Sequence, residues 1–565
     1  MQKPWEKHYS QAALTFDPAS TENRTLAQLF RAASRSYGDR PALTTILPTG
    51  SETTITYAEL DALSDHFAGF LREDLGIAAG ETVALMAPNC IGFCVASLGI
   101  AKAGCVSTNV NPLYTAQELE HQLTDSNATV LVIIDLFGDK VDQVIGQTGV
   151  KHVITLSLVD FFPALKKALL GFVLKRVRKV IPHMLTPHVT MSEALARGRK
   201  SVQGKDVAVY SDHVEPTDTA LFQYTSGTTG RSKGAELSHE AVVLNAHQAF
   251  LMTESELGDS GETAFVVLPL YHITAYVLIF VAALKIGGHG VLVPSPRPIS
   301  NLKTAFEKYN PTWFTGINTL FAAMMVEPWF DRRMFENIRF CASGGAAQQV
   351  GVATKWQDQT GIPIHQGYGM TEIAGVLTLN PPSNNRLGKV GIPVPGAEVR
   401  IVDENGNDVP LGEPGEVIAR SPTLMTGYLN RPDATAETLR DGWLYSGDIG
   451  VMDEDGFLEI VDRKKDMILV SGFNVSPNEI EDVISTVPGV VQVGVIGIPD
   501  EKSAEVPAAF VVRADKSVTE DAILAACRAG LTNYKIPKRV NFVDEVPVTL
   551  SGKVLRRKLR EDYLK

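Results

Sequence analysis

From Thr225 to Gly234 the chain reads Thr-Ser-Gly-Thr-Thr-Gly-Arg-Ser-Lys-Gly. Gly227, Gly230 and Gly234 let the backbone turn tightly and approach an anion closely. The hydroxyls of Thr225, Ser226, Thr228 and Thr229 add donors, and Arg231 and Lys233 add positive charge. Placed after the strand-like run Leu221-Phe222-Gln223-Tyr224, this is the chemistry of a loop that grips a polyphosphate. It is not a Walker A loop, because Lys233 is followed by Gly234 and G-x-x-x-x-G-K-[ST] does not occur. A flexible surface loop would explain the glycines and serines but not their order behind an apolar strand.

Tyr224 to Gly234 resembles the phosphate-loop signature of the adenylate-forming superfamily, which includes acyl-CoA synthetases, peptide-synthetase adenylation domains and luciferases. Four further stretches follow in that superfamily's order: Leu268-Pro269-Leu270-Tyr271-His272-Ile273, Gly367-Tyr368-Gly369-Met370-Thr371-Glu372, Tyr445-Ser446-Gly447-Asp448 and Ser551-Gly552-Lys553. The resemblance implies that an acid attacks the α-phosphate of ATP, pyrophosphate leaves, and coenzyme A displaces AMP from the acyl-adenylate. It implies nucleotide contacts from Thr225, Ser226, Gly227, Thr228, Thr229, Gly230 and Lys233, with the adenine beside Gly344, Gly345 and Ala346. It further implies nucleotide contacts from Gln366, Gly367, Tyr368 and Gly369, donation to the phosphates from Thr371 and Thr228, and a ribose held by Asp448 and Arg463. Glu372, with Thr228, would hold Mg²⁺, which favours a carboxylate together with phosphate oxygens. Lys553 would bridge the carboxylate and α-phosphate oxygens, although a lysine near a basic tail is ordinarily solvated. Lys465 occupies the superfamily's hinge position, and Gly472 would flank the pantetheine tunnel after the last hundred residues rotate.

An amino-acid activator needs an anion for the substrate ammonium, and Tyr271-His272-Ile273-Thr274 offers none before the apolar run Ala275 to Leu284. An unpaired ammonium buried there would be costly, so a carboxylate with an apolar tail fits better. His272 would lie at the carboxylate end, its plainer reading being a satisfied core histidine. Tyr271, Tyr276, Gly316 and Asn318 are the expected acyl-pocket residues, with Tyr276 as a gate. Three stretches, Val110 to Thr115, Glu118 to Leu123 and Phe314 to Leu320, resemble bacterial long-chain fatty-acid–CoA ligases in particular. A ligase for an aromatic or medium-chain acid, an acyl-AMP ligase serving a carrier protein, and a non-catalytic nucleotide- or acyl-binding regulator remain the alternatives.

These residues require rigid elements to converge. Short apolar runs such as Thr82–Met86 and Thr129–Ile134 alternate with helical patterns such as Ile91 to Lys102, the rhythm of an α/β layer fold. A second set begins near Asp218, with strand-like runs at Phe265–Leu268, Gly290–Val293, Thr312–Thr315 and Ile338–Cys341. From Leu387 to Asp462, Gly and Pro punctuate short alternating runs, which suggests a small β-rich, barrel-like unit. The expected α/β architecture is therefore an AMP-binding domain of two layered subdomains plus that unit, over 1–462. A small mobile α+β domain over 463–565 completes it.

The 565 residues carry 52 Lys and Arg against 64 Asp and Glu, a net charge of −12 that disfavours nucleic acid as a partner. The five cysteines form no C-x-x-C pair, and the N-terminus has no apolar signal core, so the expected location is cytoplasmic. Residues 165–181 carry Lys166, Lys167, Lys175, Arg176, Arg178 and Lys179 with no acid. On a helix, Leu169, Val173, Val177 and Val180 share one side and most of the cations the other. That pattern reads either as a solvated surface helix or as a peripheral contact with anionic lipid headgroups.

Overall fold

The structure, a computed structural model, describes residues 3–225, 232–258, 261–471, 473–500, 503–549 and 552–563. Ser226, Gly227, Thr228, Thr229, Gly230 and Gly472 therefore lie outside the described residues. Among the described residues the strands form four sheets.

The first is eight-stranded, with Val106–Asn109, Thr82–Met86, Ala128–Ile134 and His152–Leu156 running parallel at its centre. Continuous β-branched and apolar residues suit strands covered on both faces, and Thr82–Met86 is buried throughout. The helix Ile91–Lys102, buried at every position, packs against this layer. Thr219–Tyr224 joins the sheet parallel to Val106–Asn109 and turns back as Gly234–Ser238, antiparallel to itself. This hairpin projects the phosphate loop.

The second sheet is nine-stranded. His289–Leu292, Thr263–Val266, Trp313–Gly316, Phe340–Ser343 and the start of His365–Met370 run parallel in that order. The C-terminal ends of these strands carry the loops after Val266, Gly316 and Ser343 and the turn after Met370, where ligands of α/β sheets gather.

The Gly- and Pro-punctuated unit is a five-stranded antiparallel sheet containing Glu398–Val402, Gly415–Arg420, Trp443–Met452 and Leu458–Arg463. Among the described residues its ladders leave it open, with Glu398–Val402 at one edge. Asp448 pairs with Arg463 in its register, so Arg463 still belongs to the large body. Beyond it a further five-stranded sheet, including Val490–Asp500 and Ala504–Arg513, packs on Pro477–Ser485 and Glu520–Gly530. This unit has its own cores, one around Ile480, Ile484, Val495, Val511 and Ile523 and another around Ile496, Phe510 and Leu559.

The basic segment begins as a helix, Ala164–Phe172, without a single buried residue. Leu170 and Leu174 pack toward Leu47, Val159 and Phe162. Leu169, Val177 and Val180, from the row that shares one side, are exposed. Leu165 is 85% exposed and Leu169 61%, so apolar and cationic side chains share the open face. No helix among the described residues is long and apolar enough to cross a membrane.

Candidate active site

The neck of the phosphate loop is closed by Thr225, whose N–H donates to the Lys233 carbonyl at 2.9 Å. The Lys233 ammonium sits 4.9 Å from the centre of the Tyr428 ring, a cation–π arrangement. The Tyr428 hydroxyl donates to Glu372 Oε1 at 2.6 Å. One aromatic side chain thus ties the phosphate-loop lysine to the carboxylate. Among the described residues Glu372 Oε2 has no hydrogen-bond partner, and no group of three or more His, Cys, Asp or Glu forms a self-sufficient metal cage. That donor set fits Mg²⁺, which binds through one or two carboxylates and substrate phosphates while keeping water.

Asp448 follows a tight turn in which Gly447 has φ +70°, a conformation that favours glycine. Ser446 Oγ accepts from the Asp448 N–H at 3.0 Å, fixing the carboxylate's direction. Asp448 is 5% exposed; Arg463 Nε lies 3.2 Å from its Oδ1, and Tyr368 O–H donates to its Oδ2 at 2.6 Å. Tyr368 stands on His365–Met370, whose Gln366 pairs with Ser343 at the head of the adenine-side loop. Gly369 crosses Gly375 so closely that a Cβ there would meet the Gly375 carbonyl at 1.8 Å. Thr371 is buried in the turn Thr371–Ile373 that presents Glu372.

Lys553 arrives from the small domain on a loop in which its N–H donates to Thr549 Oγ1 at 3.0 Å. Gly552 has φ +81°, and a Cβ there would lie 2.7 Å from Ile317 Cδ1, so only glycine allows this approach to the large body. Burial and then Arg463 hold the Lys553 ammonium below the usual lysine value, while Asp448 and Glu372 pull it upward. Lys553 also adds to the effect of burial on His272, whose pKa is lowered to about 4. The Thr274 N–H donates to His272 Nδ1 at 3.4 Å, so the neutral ring carries its proton on Nε2. Lys465 lies in the same field, lowered by burial and then Arg463, with Lys233 contributing. Lys233, Glu372, Asp448, Arg463 and Lys553 therefore share one site.

A cavity of about 740 Å³, its open mouth included, starts at Gly344, Gly345, Gly367, Tyr368 and Gly369. It passes Thr274, Trp313, Thr315 and the Ala249–Phe250–Thr253 side of the helix His239–Thr253, and reaches Leu257 and Ile286. Apart from Thr253, Thr274, Thr315, Ser343 and Tyr368, its lining side chains are mainly apolar.

The residues expected to line an acyl pocket fall elsewhere. The Tyr276 hydroxyl is buried against Ser97 Oγ at 2.9 Å, anchoring its segment to Ile91–Lys102, and Tyr276 does not border the cavity. A Cβ on Gly316 would strike Phe321 at 2.8 Å; the glycine serves packing of the following helix, Asn318–Met324. Asn318 Oδ1 accepts from Gln348 Nε2 at 2.8 Å and from the Gln349 N–H at 3.1 Å, while Ser343 Oγ donates to Gln348. This network braces the start of the Gly344-Gly345-Ala346 loop, with Asn318 as its support. The Tyr271 carbonyl accepts from Gln223 Nε2 at 2.9 Å, and Tyr271 does not border the cavity. Tyr428, Phe250, Thr253 and Leu257 were not anticipated. Tyr428 follows Gly427 without a charged or Gly-rich pattern, and the cavity residues read as ordinary helix core.

Comparison with known proteins agrees with this geometry. The AMP-binding enzyme family matches residues 30–429, and its C-terminal domain matches 479–553. A long-chain-fatty-acid–CoA ligase of Yersinia pestis is 41% identical over 568 aligned positions, covering 100% of this chain and 99% of that protein. A feruloyl-CoA synthase of an Amycolatopsis species is 34% identical, over 90% of this chain and 94% of the other. The crystal structure of an anthranilate CoA ligase with anthranoyl-AMP superposes with a TM-score of 0.85 at 25% identity, covering 97% of this chain and 99% of that one. A fold, a shared site and a family match over most of the length converge on one conclusion: the chain belongs to the AMP-binding enzyme family.

Proposed function

We propose that this chain joins a long-chain fatty acid to ATP, releasing pyrophosphate, and then transfers the acyl group from AMP to coenzyme A. The observation that carries the proposal is the largely apolar cavity bordered by Gly344–Gly345 and Gly367–Gly369, beside Tyr368, whose hydroxyl donates to Asp448 and which stands on the strand that leads into Glu372. In the first step a carboxylate oxygen bonds to the α-phosphorus as its bond to the bridging pyrophosphate oxygen breaks. Both reactants are anionic, so the barrier falls when fixed cations offset the charge gathering on the phosphate oxygens. Lys553 and Lys233 supply it, Asp448 and Arg463 hold the ribose, and neutral His272 offers Nε2–H to the acid's carboxylate. Mg²⁺, held by Glu372 with Thr228, would neutralise phosphate charge. In the second step the thiol sulfur bonds to the acyl carbonyl carbon, AMP leaves, and the thiol proton is lost. Rotation of the small domain at Lys465 would withdraw Lys553 and bring the Gly472 segment to the pantetheine. Support comes from the separate cores of the two domains and from the 41% identity to a fatty-acid ligase.

The test is AMP release across acids from C6 to C18 and a set of aromatic acids, with and without coenzyme A. Coenzyme-dependent turnover highest on long chains is the expected result. Preference for ferulate-like acids, whose ligase is 34% identical, would favour the aromatic reading. Transfer to a carrier protein but not to coenzyme A, or no turnover with any acid, would favour the remaining alternatives.

We further propose that Ala164–Phe172 and the basic run after it rest on an anionic membrane surface, making this a cytoplasmic, peripherally bound enzyme. Leu165, Leu169 and Phe172 are exposed beside Lys166, Lys175 and Arg176, with no acid between 161 and 192. Flotation with anionic liposomes should be lost when the basic residues are neutralised; unchanged flotation would refute the contact.

A further inference from the structure

Asp462 is the last residue before Arg463 in the strand Leu458–Arg463, and it is 1% exposed. Its carboxylate belongs to the large body, yet most of what holds it comes from beyond Lys465. Oδ2 lies 3.0 Å from Ser476 Oγ and accepts from the Asn478 N–H at 3.1 Å, at the start of the helix Pro477–Ser485. Oδ1 accepts from the neighbouring Arg463 N–H at 2.7 Å and lies 3.9 Å from Arg556 Nη1. Arg556 is itself fixed within the small domain: it donates to Asn478 Oδ1 at 2.7 Å, Glu481 Oε1 at 2.9 Å and the Val495 carbonyl at 3.1 Å. It stands three residues after Lys553 and opens the helix Arg556–Tyr563.

A buried carboxylate is tolerated only while it is hydrogen-bonded and paired. A rotation at Lys465 leaves Asp462 with the large body and carries Ser476, Asn478 and Arg556 away. Those donors are therefore available to Asp462 in the arrangement that delivers Lys553. We infer that Asp462 is a positioning residue for adenylate formation: it holds the Ser476–Asn478 turn, whose Asn478 Oδ1 accepts from Arg556, and through that turn sets where Lys553 sits. The inference rests on the proposed rotation at Lys465. It also implies that leaving the adenylating arrangement means releasing this carboxylate, so Asp462 weights the balance between the two half-reactions.

The experiment compares ATP–pyrophosphate exchange with thioester formation from supplied acyl-AMP, in full-length Asp462→Ala, Ser476→Ala and Lys553→Ala proteins. Asp462→Ala should lower exchange by roughly ten- to a hundredfold, the worth of one or two hydrogen bonds to a charged acceptor. Thioester formation should stay within about threefold of the unaltered protein or rise, a split that general damage to the fold would not give. Ser476→Ala removes the hydroxyl that lies between Asp462 Oδ2 and the Val461 carbonyl, both on the large-body side, and should show the same split at smaller size, which keeps the test informative if Asp462→Ala does not fold. Equal losses in both half-reactions, or unchanged exchange, overturn the inference. If Lys553→Ala alone shows the split, the positioning role fails while the proposed reaction stands; if Lys553→Ala spares exchange, both fail.

Discussion

At the scale of single residues, the site is organised by pairs that restrain the reacting groups. Tyr428 is the clearest, because its ring lies under Lys233 while its hydroxyl holds Glu372. Tyr428→Phe keeps the ring and removes the 2.6 Å hydrogen bond, leaving Glu372 free to rotate. Adenylation by this variant should need several-fold more Mg²⁺ for half-maximal rate, and Tyr428→Leu should do worse by also losing the cation–π contact. A magnesium titration of ATP–pyrophosphate exchange measures both; identical curves for all three proteins would remove Tyr428 from the account. Residue types with narrow chemical uses, such as Asp448 after a Ser-Gly turn, were legible in the sequence. Asn318 and Tyr276 were not, because their partners, Gln348 and Ser97, are 30 and 179 positions away and only packing brings them together.

At the scale of elements, the parallel layers were readable because a strand covered on both faces must be apolar throughout. The helix Ile91–Lys102 and the strand Thr82–Met86 have the bounds their patterns imply. The strand expected at Phe265–Leu268 instead spans Thr263–Val266. Val267 and Leu268 are buried beyond the end of that ladder, so apolar burial outlasts pairing and blurs the boundary. The amphipathic pattern of 165–181 did not tell which residues meet the body: Leu170 and Leu174 do, while Leu169 and Val177 are exposed. On the helix His239–Thr253, which carries no motif, Ala249, Phe250 and Thr253 wall the cavity. Ala249→Trp should block the space used by two or three methylenes, each worth roughly 0.8 kcal/mol when buried. Palmitate should then lose about ten- to a hundredfold in kcat/KM relative to octanoate, as a competition assay would read. An unchanged ratio would place the acyl chain elsewhere.

At the scale of the whole molecule, the small domain brings Lys553 to the large body, and titratable groups buried in the folded chain set how stability depends on pH. His239, His247, His272, His289 and His365 are each lowered to about 4, chiefly by burial. Unfolded, they would titrate near 6.5, so the unfolded chain binds more protons between about pH 6.5 and 4. Their contribution to stability is present above 6.5 and is lost as pH falls through that window. The carboxyls that burial raises act oppositely, Asp135 to about 6, Asp482 to about 7, with Glu236, Asp462 and Glu481, but they are fewer than these histidines together with His8 and His66, which burial also lowers. The urea midpoint should therefore drop steadily from pH 7 to 5; a flat or rising midpoint would contradict the burial of these imidazoles.

The claim on which the rest depends is that Lys553, carried by the small domain, serves the attack on ATP and not the transfer to the thiol. Measuring both half-reactions in Lys553→Ala tests it directly. Fatty-acid-dependent ATP–pyrophosphate exchange should fall by roughly 10²–10³-fold, the scale of losing one preorganised electrostatic partner. Thioester formation from supplied acyl-AMP should stay near that of the unaltered protein. Equal loss in both steps, or exchange that survives the substitution, would contradict the account.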